Sequence, residues 1–311
     1  MRIGVVGVGA LGTIFAVKLI AAGHEVVLHV PRETTRELIL RRGLVLQRGR
    51  SKETARPAAV VADPAQAAPA QLVLFLVKAY ATQEAAPAAA KLRAADGVVL
   101  SLQNGLGNLE ILERCVGVGG VLGGVTAQGA YLREPGWAVH AGEGPTVLGE
   151  PAGKASPRVE RVVQVLTAAD LPAQVTNDLE GQLWEKVLLN AGINPLTALL
   201  RGRNGMLREG PAAELLALAV AEGAAVARAR GVELPHPDPV ALAREVVAAT
   251  ARNRSSMLQD LTRGRPTEVD QISGALVREG ERVGVPTPVN RVLALLVRAA
   301  QAKRRRGADG E

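Results

Sequence analysis

The sequence predicts a protein of the α/β class, in which a mostly parallel, doubly wound sheet in the N-terminal half is followed by an all-α C-terminal half. Three observations lead to this prediction. The chain opens on an apolar strand, a glycine-rich turn and a helix; apolar strand-like runs then alternate with Ala-rich helical runs; and the pattern is helical from residue 178 onward. Because 311 residues exceed the usual size of one hydrophobic core, we expect two domains, at 1–177 and 178–302, and a basic, disordered tail at 303–311.

The first element is a strand at 1–6, which runs into Gly7-Val8-Gly9-Ala10-Leu11-Gly12 and then into a helix at 13–23. In a G-x-G-x-x-G turn the first glycine permits the tight turn, the second lets backbone N–H groups approach a pyrophosphate, and the third lets the helix pack on the strand. The helix N-terminus adds partial positive charge for the phosphates. With a second apolar strand at 24–30, the pattern predicts a Rossmann dinucleotide-binding domain.

The residues after the second strand bear on the choice of dinucleotide. An NAD-binding domain usually offers an acidic residue there to the ribose hydroxyls, whereas this chain has Pro31-Arg32-Glu33. Arg32 can pair with a 2′-phosphate, and Glu33 falls one residue later than an NAD ligand normally does. The sequence therefore favours NADPH/NADP+ as the cofactor, and the alternative for Arg32 is a solvated loop arginine.

Two later apolar runs, at 72–77 and 97–102, are the clearest further strands, and a polar residue of interest follows each. Lys78 follows the first and Asn104 follows the second. Because ligands of open α/β sheets bind beyond the carboxyl ends of strands, both side chains lie where a cofactor is expected to pass. The alternatives are a surface loop at Lys78 and an ordinary Asn-Gly turn at Asn104. Shorter strands are predicted around 119–128, 137–141, 146–149 and 174–176, and a helix at 156–169.

A stripe of polar residues crosses an otherwise largely apolar helical segment at 183–195. Lys186, Asn190 and Asn194 are spaced four residues apart, which puts their side chains on one face of a helix. Burying a lysine and two asparagines costs several kcal/mol unless each finds a partner, so the stripe predicts the wall of a ligand site. The alternative is an amphipathic helix whose polar edge faces water.

Two further polar segments stand out in the C-terminal half. The segment at 253–260 interrupts a long helical pattern that begins near Pro239, which indicates either a ligand contact or a bend in the helix. Thr267-Glu268-Val269-Asp270 has the spacing of a helix cap, so a helix is expected to open there with Glu268 in its first turn, where the carboxylate would complement the helix dipole.

Composition narrows the classes of function. The net charge of +7 owes much to Lys303-Arg304-Arg305-Arg306, and an aromatic content of 2% leaves little for base stacking, so we expect no nucleic acid partner. No apolar run approaches the roughly 20 residues of a membrane span, and the opening strand leaves no room for a signal peptide, so we expect a cytoplasmic protein with no membrane partner. The single Cys115 lacks a partner for a disulfide or a metal site and is expected to be a small buried hydrophobe.

Several segments together resemble the ketopantoate reductase (2-dehydropantoate 2-reductase) family, in order and over nearly the whole chain. The resemblance implies NADPH-dependent reduction of ketopantoate, a 2-oxo acid, to pantoate in the biosynthesis of pantothenate (vitamin B5) and coenzyme A. The segments that carry it are the glycine turn, Val77-Lys78-Ala79, Gln103-Asn104-Gly105-Leu106-Gly107, Trp184-x-Lys186-x-x-x-Asn190-x-x-x-Asn194-Pro195-Leu196-Thr197-Ala198, Ser255-Ser256-Met257-Leu258-Gln259-Asp260 and Thr267-Glu268-Val269-Asp270.

The resemblance also implies residue roles, with Lys186, Asn104 and Glu268 as the catalytic group, Lys186 as the proton donor, and no metal. The chain departs from the family pattern at 127–130, where the family often has Thr-His, and at Arg32, which Pro31 displaces by one residue. The implied cofactor-binding residues are Gly7, Val8, Gly9, Ala10, Leu11, Gly12, Arg32, Lys78, Asn104, Ala130 and Glu268. The implied substrate-binding residues are Lys186, Asn190, Asn194, Asn204, Asn253 and Ser256.

The chemistry of the polar stripe agrees with a reductase. Hydride transfer to a ketone leaves negative charge on the carbonyl oxygen, which a cationic lysine such as Lys186 both stabilises and protonates. Partial burial lowers the pKa of a lysine from about 10.4 toward neutrality and makes it a better acid. Two alternatives stay open: a related NADP-dependent reductase of a different 2-oxo acid, and a non-catalytic NADP-binding sensor. Apolar faces at 215–226 and 292–297 pack either internally or against a second copy in a homodimer.

Overall fold

The computed structural model describes the backbone of residues 1–308 and the side chains of residues 1–303. The chain forms two compact units. The first comprises residues 1–103 and 108–179, and the second comprises residues 104–107 and the chain from Glu180 onward. The segment 104–107, which follows a strand of the first unit in sequence, therefore belongs to the second unit.

The first unit contains twelve strands and five α-helices within the described residues. The strands are β1 (Arg2–Val6), β2 (Glu25–His29), β3 (Leu44–Arg48), β4 (Ser51–Ala55), β5 (Ala59–Val61), β6 (Ala70–Phe75), β7 (Arg93–Ser101), β8 (Val121–Thr126), β9 (Gly129–Glu134), β10 (Trp137–Gly142), β11 (Thr146–Gly149) and β12 (Ala173–Val175). The helices are α1 (Ala10–Ala21), α2 (Glu33–Arg42), α3 (Thr82–Leu92), α4 (Asn108–Val116) and α5 (Pro157–Ala168).

The main sheet has the order β12-β11-β8-β7-β6-β1-β2-β5 among the strands described. Its neighbours pair in parallel except β8 and β11, which pair antiparallel. Alternate residues of the central strands enter two different hydrophobic clusters, with Val5 and Leu74 on one face and Val6 and Phe75 on the other. A sheet buried on both faces is typical of doubly wound proteins, and the predicted fold class is confirmed.

A second sheet, β4-β3-β10-β9, packs against α1 and was not predicted. Leu44, Leu46 and Ala138 from this sheet join the same hydrophobic cluster as the buried residues of α1. Lys18 of α1 pairs with Glu53 of β4 across 3.5 Å. Helix α1 therefore contacts strands of both sheets.

The prediction for Cys115 was wrong, because its side chain is exposed. α4 is amphipathic and buries Asn108, Leu112 and Val116, which are spaced four residues apart. Cys115 lies off that buried face, where the helix meets solvent.

The second unit is all-α within the described residues, as predicted, and most of its buried hydrophobic side chains form one core cluster. Glu222 of α7 accepts hydrogen bonds from the backbone N–H groups of Val289 and Asn290 and so caps the start of α11. The helices are α6 (Leu179–Leu199), α7 (Gly210–Ala229), α8 (Pro239–Ala249), α9 (Ser256–Thr262), α10 (Ser273–Val283) and α11 (Pro288–Ala308).

Of the helices described, α7 alone is long and apolar enough to cross a membrane by length and composition. Leu216, Val220 and Val226 on this helix belong to the core cluster of the second unit. Burial of these side chains accounts for part of its apolar character, since a core helix of a folded unit passes the same test.

The disordered tail predicted at 303–311 lies partly outside the described residues. The backbone is helical as far as Ala308, at the end of α11. Residues 309–311 fall beyond the described part of the chain.

Candidate active site

The glycine turn after β1 has the geometry that the sequence predicted. Gly7 has φ +102°, and a Cβ on it would lie 2.4 Å from the backbone N of Val77, so no other residue fits. A Cβ on Gly12 would lie 2.2 Å from the carbonyl O of Gly7. A Cβ on Gly9, the N-cap residue of α1, would meet nothing within 4 Å. The open space beside Gly9 suits a phosphate that approaches the helix N-terminus. The side chains of Val8, Ala10 and Leu11 pack against the core of the first unit.

Arg32 is exposed at the N-cap position of α2, two residues after the pairing of Val30 with Val61 ends the extended segment. Glu33 pairs with Arg36, one turn further along α2. Arg36 also lies within 3.5 Å of the carbonyl O of Val30. The acidic residue nearest the strand is therefore engaged with an arginine, and the position after β2 offers positive charge to a ligand.

Lys78 is half-buried and follows β6 at the start of a short 3-10 turn, Ala79–Ala81. Its carbonyl O accepts a hydrogen bond of 2.8 Å from the N–H of Ala81, which closes the turn. The side chain thus lies beyond the carboxyl end of a central parallel strand, as the sequence predicted.

A buried hydrogen-bond network that sequence reasoning missed connects the ends of β6 and β7. Gln103 donates from Nε2 to the carbonyl O of Val77 over 3.0 Å and to the Thr82 hydroxyl over 2.7 Å. Its Oε1 accepts from the Ser101 hydroxyl over 3.0 Å. The Thr82 hydroxyl lies 2.8 Å from Oδ1 of Asn108. Polar residues directly after an apolar strand were the available signal, but only Asn104 was selected from them.

The second unit brings three of the predicted site residues together. Asn190 of α6 donates from Nδ2 to Oδ1 of Asn104 over 3.4 Å, and Asn104 donates from Nδ2 to Oε2 of Glu268 over 3.3 Å. Glu268 is only 4% exposed. A backbone bond of 3.0 Å from Leu106 N–H to Gln271 O holds the Asn104 segment in this unit. Asparagines from two segments and a buried carboxylate thus form one hydrogen-bonded chain.

Lys186 lies one helical turn before Asn190 on the same face of α6. Burial lowers the pKa of its ammonium from the ordinary lysine value, because desolvation disfavours the charged form. Within the described side chains, the ammonium has neither a carboxylate partner nor a hydrogen bond. Asn194, a turn after Asn190, is 5% exposed. The stripe is a partly buried row of donors rather than a polar edge facing water.

The expected helix start at Thr267 was wrong, because α10 begins at Ser273. Residues 268–272 form turns in which the carbonyl O of Glu268 accepts from the N–H groups of Gln271 and Ile272. Val269 and Ile272 are buried in the core, which holds this segment in a tight turn and delays the helix. Glu268 therefore faces Asn104 from a turn and does not complement the dipole of α10.

The segment around Asn253 breaks the helical pattern, with α8 ending at Ala249 and α9 starting at Ser256. The carbonyl O of Asn253 accepts from Asn204 N–H over 3.0 Å. Ser255 caps α9 by accepting from Leu258 N–H and also accepts from the Thr197 hydroxyl over 2.7 Å. The bend that the sequence allowed is present, and Ser255, which the resemblance implied only as part of a substrate-binding segment, caps a helix.

Asn204 and Ser256 occupy different positions in this region. Asn204 is buried and donates from Nδ2 to the Thr250 hydroxyl over 2.9 Å, while its Oδ1 is buried without a hydrogen bond in the described part of the structure. Ser256 is half-buried in the first turn of α9. Among the side chains of residues 1–303, no hydrogen bond joins Asn204, Asn253 or Ser256 to Lys186. The bond between Thr197 and Ser255 connects this region to α6, the helix that carries Lys186 and Asn190.

Ala130 lies in the second sheet, on β9 opposite His140 of β10. Its side chain packs against the same cluster as Val8, Ala10 and Leu11 of the glycine turn. Ala130 and the glycine turn therefore belong to one packed region of the first unit.

The donors of the second unit suit proton transfer. Among the described residues, no group of three His, Cys, Asp or Glu side chains is placed to hold a metal ion. What the unit offers is a lysine of lowered pKa and amides held by a buried carboxylate. Such an arrangement can stabilise and protonate an oxyanion.

Comparison with known proteins agrees with this geometry. Residues 3–153 match the family described as "Ketopantoate reductase PanE/ApbA", and residues 178–301 match its C-terminal counterpart. A 2-dehydropantoate 2-reductase of Archaeoglobus fulgidus is 41% identical over 302 residues, which is 97% of this chain and 98% of that protein.

Two solved structures are similar over almost their whole length. A PanE/ApbA family ketopantoate reductase from Ralstonia eutropha JMP134 has a TM-score of 0.89 at 34% identity and covers 98% of this chain and 100% of its own. A D-mandelate dehydrogenase, in a ternary structure with NADH and anilino(oxo)acetate, has a TM-score of 0.91 at 26% identity and the same coverage.

Proposed function

The chain belongs to the ketopantoate reductase family, and we propose that it reduces the C2 ketone of 2-dehydropantoate with NADPH as hydride donor and Lys186 as general acid. The position of Lys186 is the observation that supports its role as general acid. Its ammonium, of lowered pKa, stands on the same helix face as Asn190, which is bonded to Asn104 and through it to Glu268.

The proposed mechanism assigns each side chain a task. Bound NADPH supplies the hydride. Lys186 donates its proton to the carbonyl oxygen as negative charge develops there. Glu268 fixes the amide of Asn104, since a carboxylate can only accept, and Asn104 in turn fixes Asn190. We assign Asn190, Asn194, Asn204, Asn253 and Ser256 to the carboxylate and hydroxyls of the substrate.

The residues of the first unit fit a dinucleotide. The space beside Gly9 and the N-terminus of α1 would receive the pyrophosphate, and Arg32 the 2′-phosphate of NADPH. We assign Lys78 and Ala130 to further parts of the cofactor. In NAD-binding domains a carboxylate at this position usually accepts hydrogen bonds from the ribose hydroxyls. Glu33 is instead paired with Arg36, which favours NADPH over NADH.

A second candidate function is the reduction of a different 2-oxo acid. The similarity to D-mandelate dehydrogenase, whose structure holds anilino(oxo)acetate, favours this candidate. Pocket details decide between such substrates, because one added or missing group in a pocket changes specificity by about 10- to 200-fold.

We further propose a cytoplasmic enzyme whose partner is a small-molecule 2-oxo acid, without nucleic acid or membrane partners.

Leu215 and Leu218 on α7 and Leu295 and Leu296 on α11 are exposed, which favours a homodimer over internal packing at these positions. Sedimentation of the purified protein tests the dimer.

The experiment that tests the function is NADPH oxidation followed by absorbance with ketopantoate, run in parallel with NADH and with other 2-oxo acids. Turnover with ketopantoate and NADPH at a kcat/KM at least about tenfold above every other pair is the expected result. Preference for another 2-oxo acid would support the second candidate. NADPH binding without turnover of any 2-oxo acid would contradict both.

A further inference from the structure

Gln103 uses its whole side-chain amide inside the protein. Its Nε2 donates to Val77 O over 3.0 Å and to Thr82 over 2.7 Å, and its Oε1 accepts from Ser101. The side chain is 8% exposed, and Ser101 and Thr82 are buried. A buried, fully satisfied network of this kind holds its members in one arrangement.

Val77, whose carbonyl O accepts a hydrogen bond from Gln103, is in contact with the glycine turn. The backbone N of Val77 lies where a Cβ on Gly7 would approach it to 2.4 Å, so the two backbones touch. Val77 also precedes Lys78 directly. Gln103 therefore fixes, through one carbonyl group, the chain segment that supports Gly7 on one side and carries Lys78 on the other.

We propose that Gln103 is a positioning residue for the coenzyme, which it does not touch. It sets the place of Val77 and thereby the shape of the glycine turn and the direction of Lys78. This inference rests on the proposed function, in which the coenzyme binds at Gly9 and Lys78. Only an amide supplies two donors and one acceptor in the same group, because a carboxylate cannot donate to Val77 O and an apolar side chain can do neither.

The test is the dissociation constant of NADPH, measured by fluorescence for the wild type and Gln103→Met. Methionine keeps most of the volume and loses all three hydrogen bonds. We expect NADPH binding to weaken about tenfold, with the KM for ketopantoate within about twofold of the wild type. The matched control is Thr146→Val, which removes another buried hydroxyl of the same unit, bonded to Thr126 over 2.9 Å.

A purely structural role predicts a different result. Gln103→Met would then unfold at a lower temperature, as Thr146→Val does, and would bind NADPH as tightly as the wild type, which overturns the inference. If Gln103→Met does not fold, Thr82→Val decides, since it removes one of the two partners of Nε2. Weakening of NADPH binding about threefold or more supports the inference, and unchanged binding overturns it. A wild type that binds no NADPH would contradict the proposed function itself.

Discussion

Asn104 donates a hydrogen bond from Nδ2 to Oε2 of Glu268 over 3.3 Å. The two residues are far apart in sequence, and both lie in the second unit, because residues 104–107 pack with the helices. Since the buried carboxylate can only accept, the bond decides which end of the Asn104 amide faces Glu268 and which end accepts from Asn190.

Replacing Glu268 by glutamine tests this relationship. Glutamine can present its NH2 group to Asn104 and so lets the Asn104 amide turn around, which disorders its bond to Asn190. We expect kcat to fall about 10- to 100-fold, as for loss of a charge-assisted hydrogen bond. Steady-state kinetics measures it, with Glu214→Gln, an exposed acid on α7, as the control. Equal rates in the two variants would show that Glu268 does not orient Asn104.

Alanine substitutions at Gly7 and Gly9 should affect different properties, the first the unfolding temperature and the second the affinity for NADPH. Gly7→Ala places a Cβ 2.4 Å from Val77 N at φ +102°, so we expect a lower unfolding temperature. Gly9→Ala meets no protein atom within 4 Å, so it should fold normally and weaken NADPH binding about tenfold or more. Thermal unfolding and NADPH titration separate the two. Unchanged affinity in Gly9→Ala would place the pyrophosphate elsewhere.

Arg32→Ala tests the coenzyme preference. Loss of a guanidinium that pairs with the 2′-phosphate should lower kcat/KM for NADPH about 10- to 100-fold and leave that for NADH within about twofold. Arg50→Ala, at another exposed arginine of the first unit, is the matched control. A similar fall in kcat/KM with both coenzymes would show that Arg32 does not bind the 2′-phosphate.

The lowered pKa of Lys186 predicts how activity varies with pH. A general acid must carry its proton, so kcat/KM should fall as the pH rises through the pKa of Lys186. Because burial puts that pKa below 10.5, the fall should begin below that pH. A profile that stays flat as far as pH 10.5 would contradict the role of Lys186.

The lowered pKa of Lys186 also makes the free energy of unfolding depend on pH. Between the lowered pKa and 10.5, the unfolded chain binds more protons than the folded one, so stability should rise with pH across that window. Below the window the cost of the buried ammonium is fully present. Lys186→Met removes this cost and should unfold at a higher temperature than the wild type at pH values below the window, with the difference shrinking as the pH rises through the window toward 10.5. Calorimetry at several pH values measures it.

Short-range patterns predicted the parts of the fold that depend on neighbours in sequence. The tight turn at Gly7 and the close packing at Gly12 follow from strand, turn and helix being adjacent in the chain, and the structure shows both. The approach of a pyrophosphate to Gly9 stays a prediction. The spacing of Lys186 and Asn190 predicted their shared face for the same reason.

Features fixed by distant contacts were harder to predict. β4 has the sequence Ser-Lys-Glu-Thr-Ala and is almost wholly exposed, so it lacks the apolar alternation of a strand and is held by pairing with β3. The late start of α10 depends on where Val269 and Ile272 pack. Gln103 donates hydrogen bonds to Val77 and Thr82, and the sequence does not reveal that these residues lie close to it.

The most direct test of the account is the rate of NADPH oxidation by Lys186→Ala with saturating ketopantoate, relative to the wild type. Loss of the general acid should lower turnover by about 10² to 10⁴, with NADPH affinity little changed. Lys91→Ala, at an exposed lysine of α3, should match the wild type. A Lys186→Ala enzyme that turns over at the wild-type rate would remove Lys186 from the mechanism.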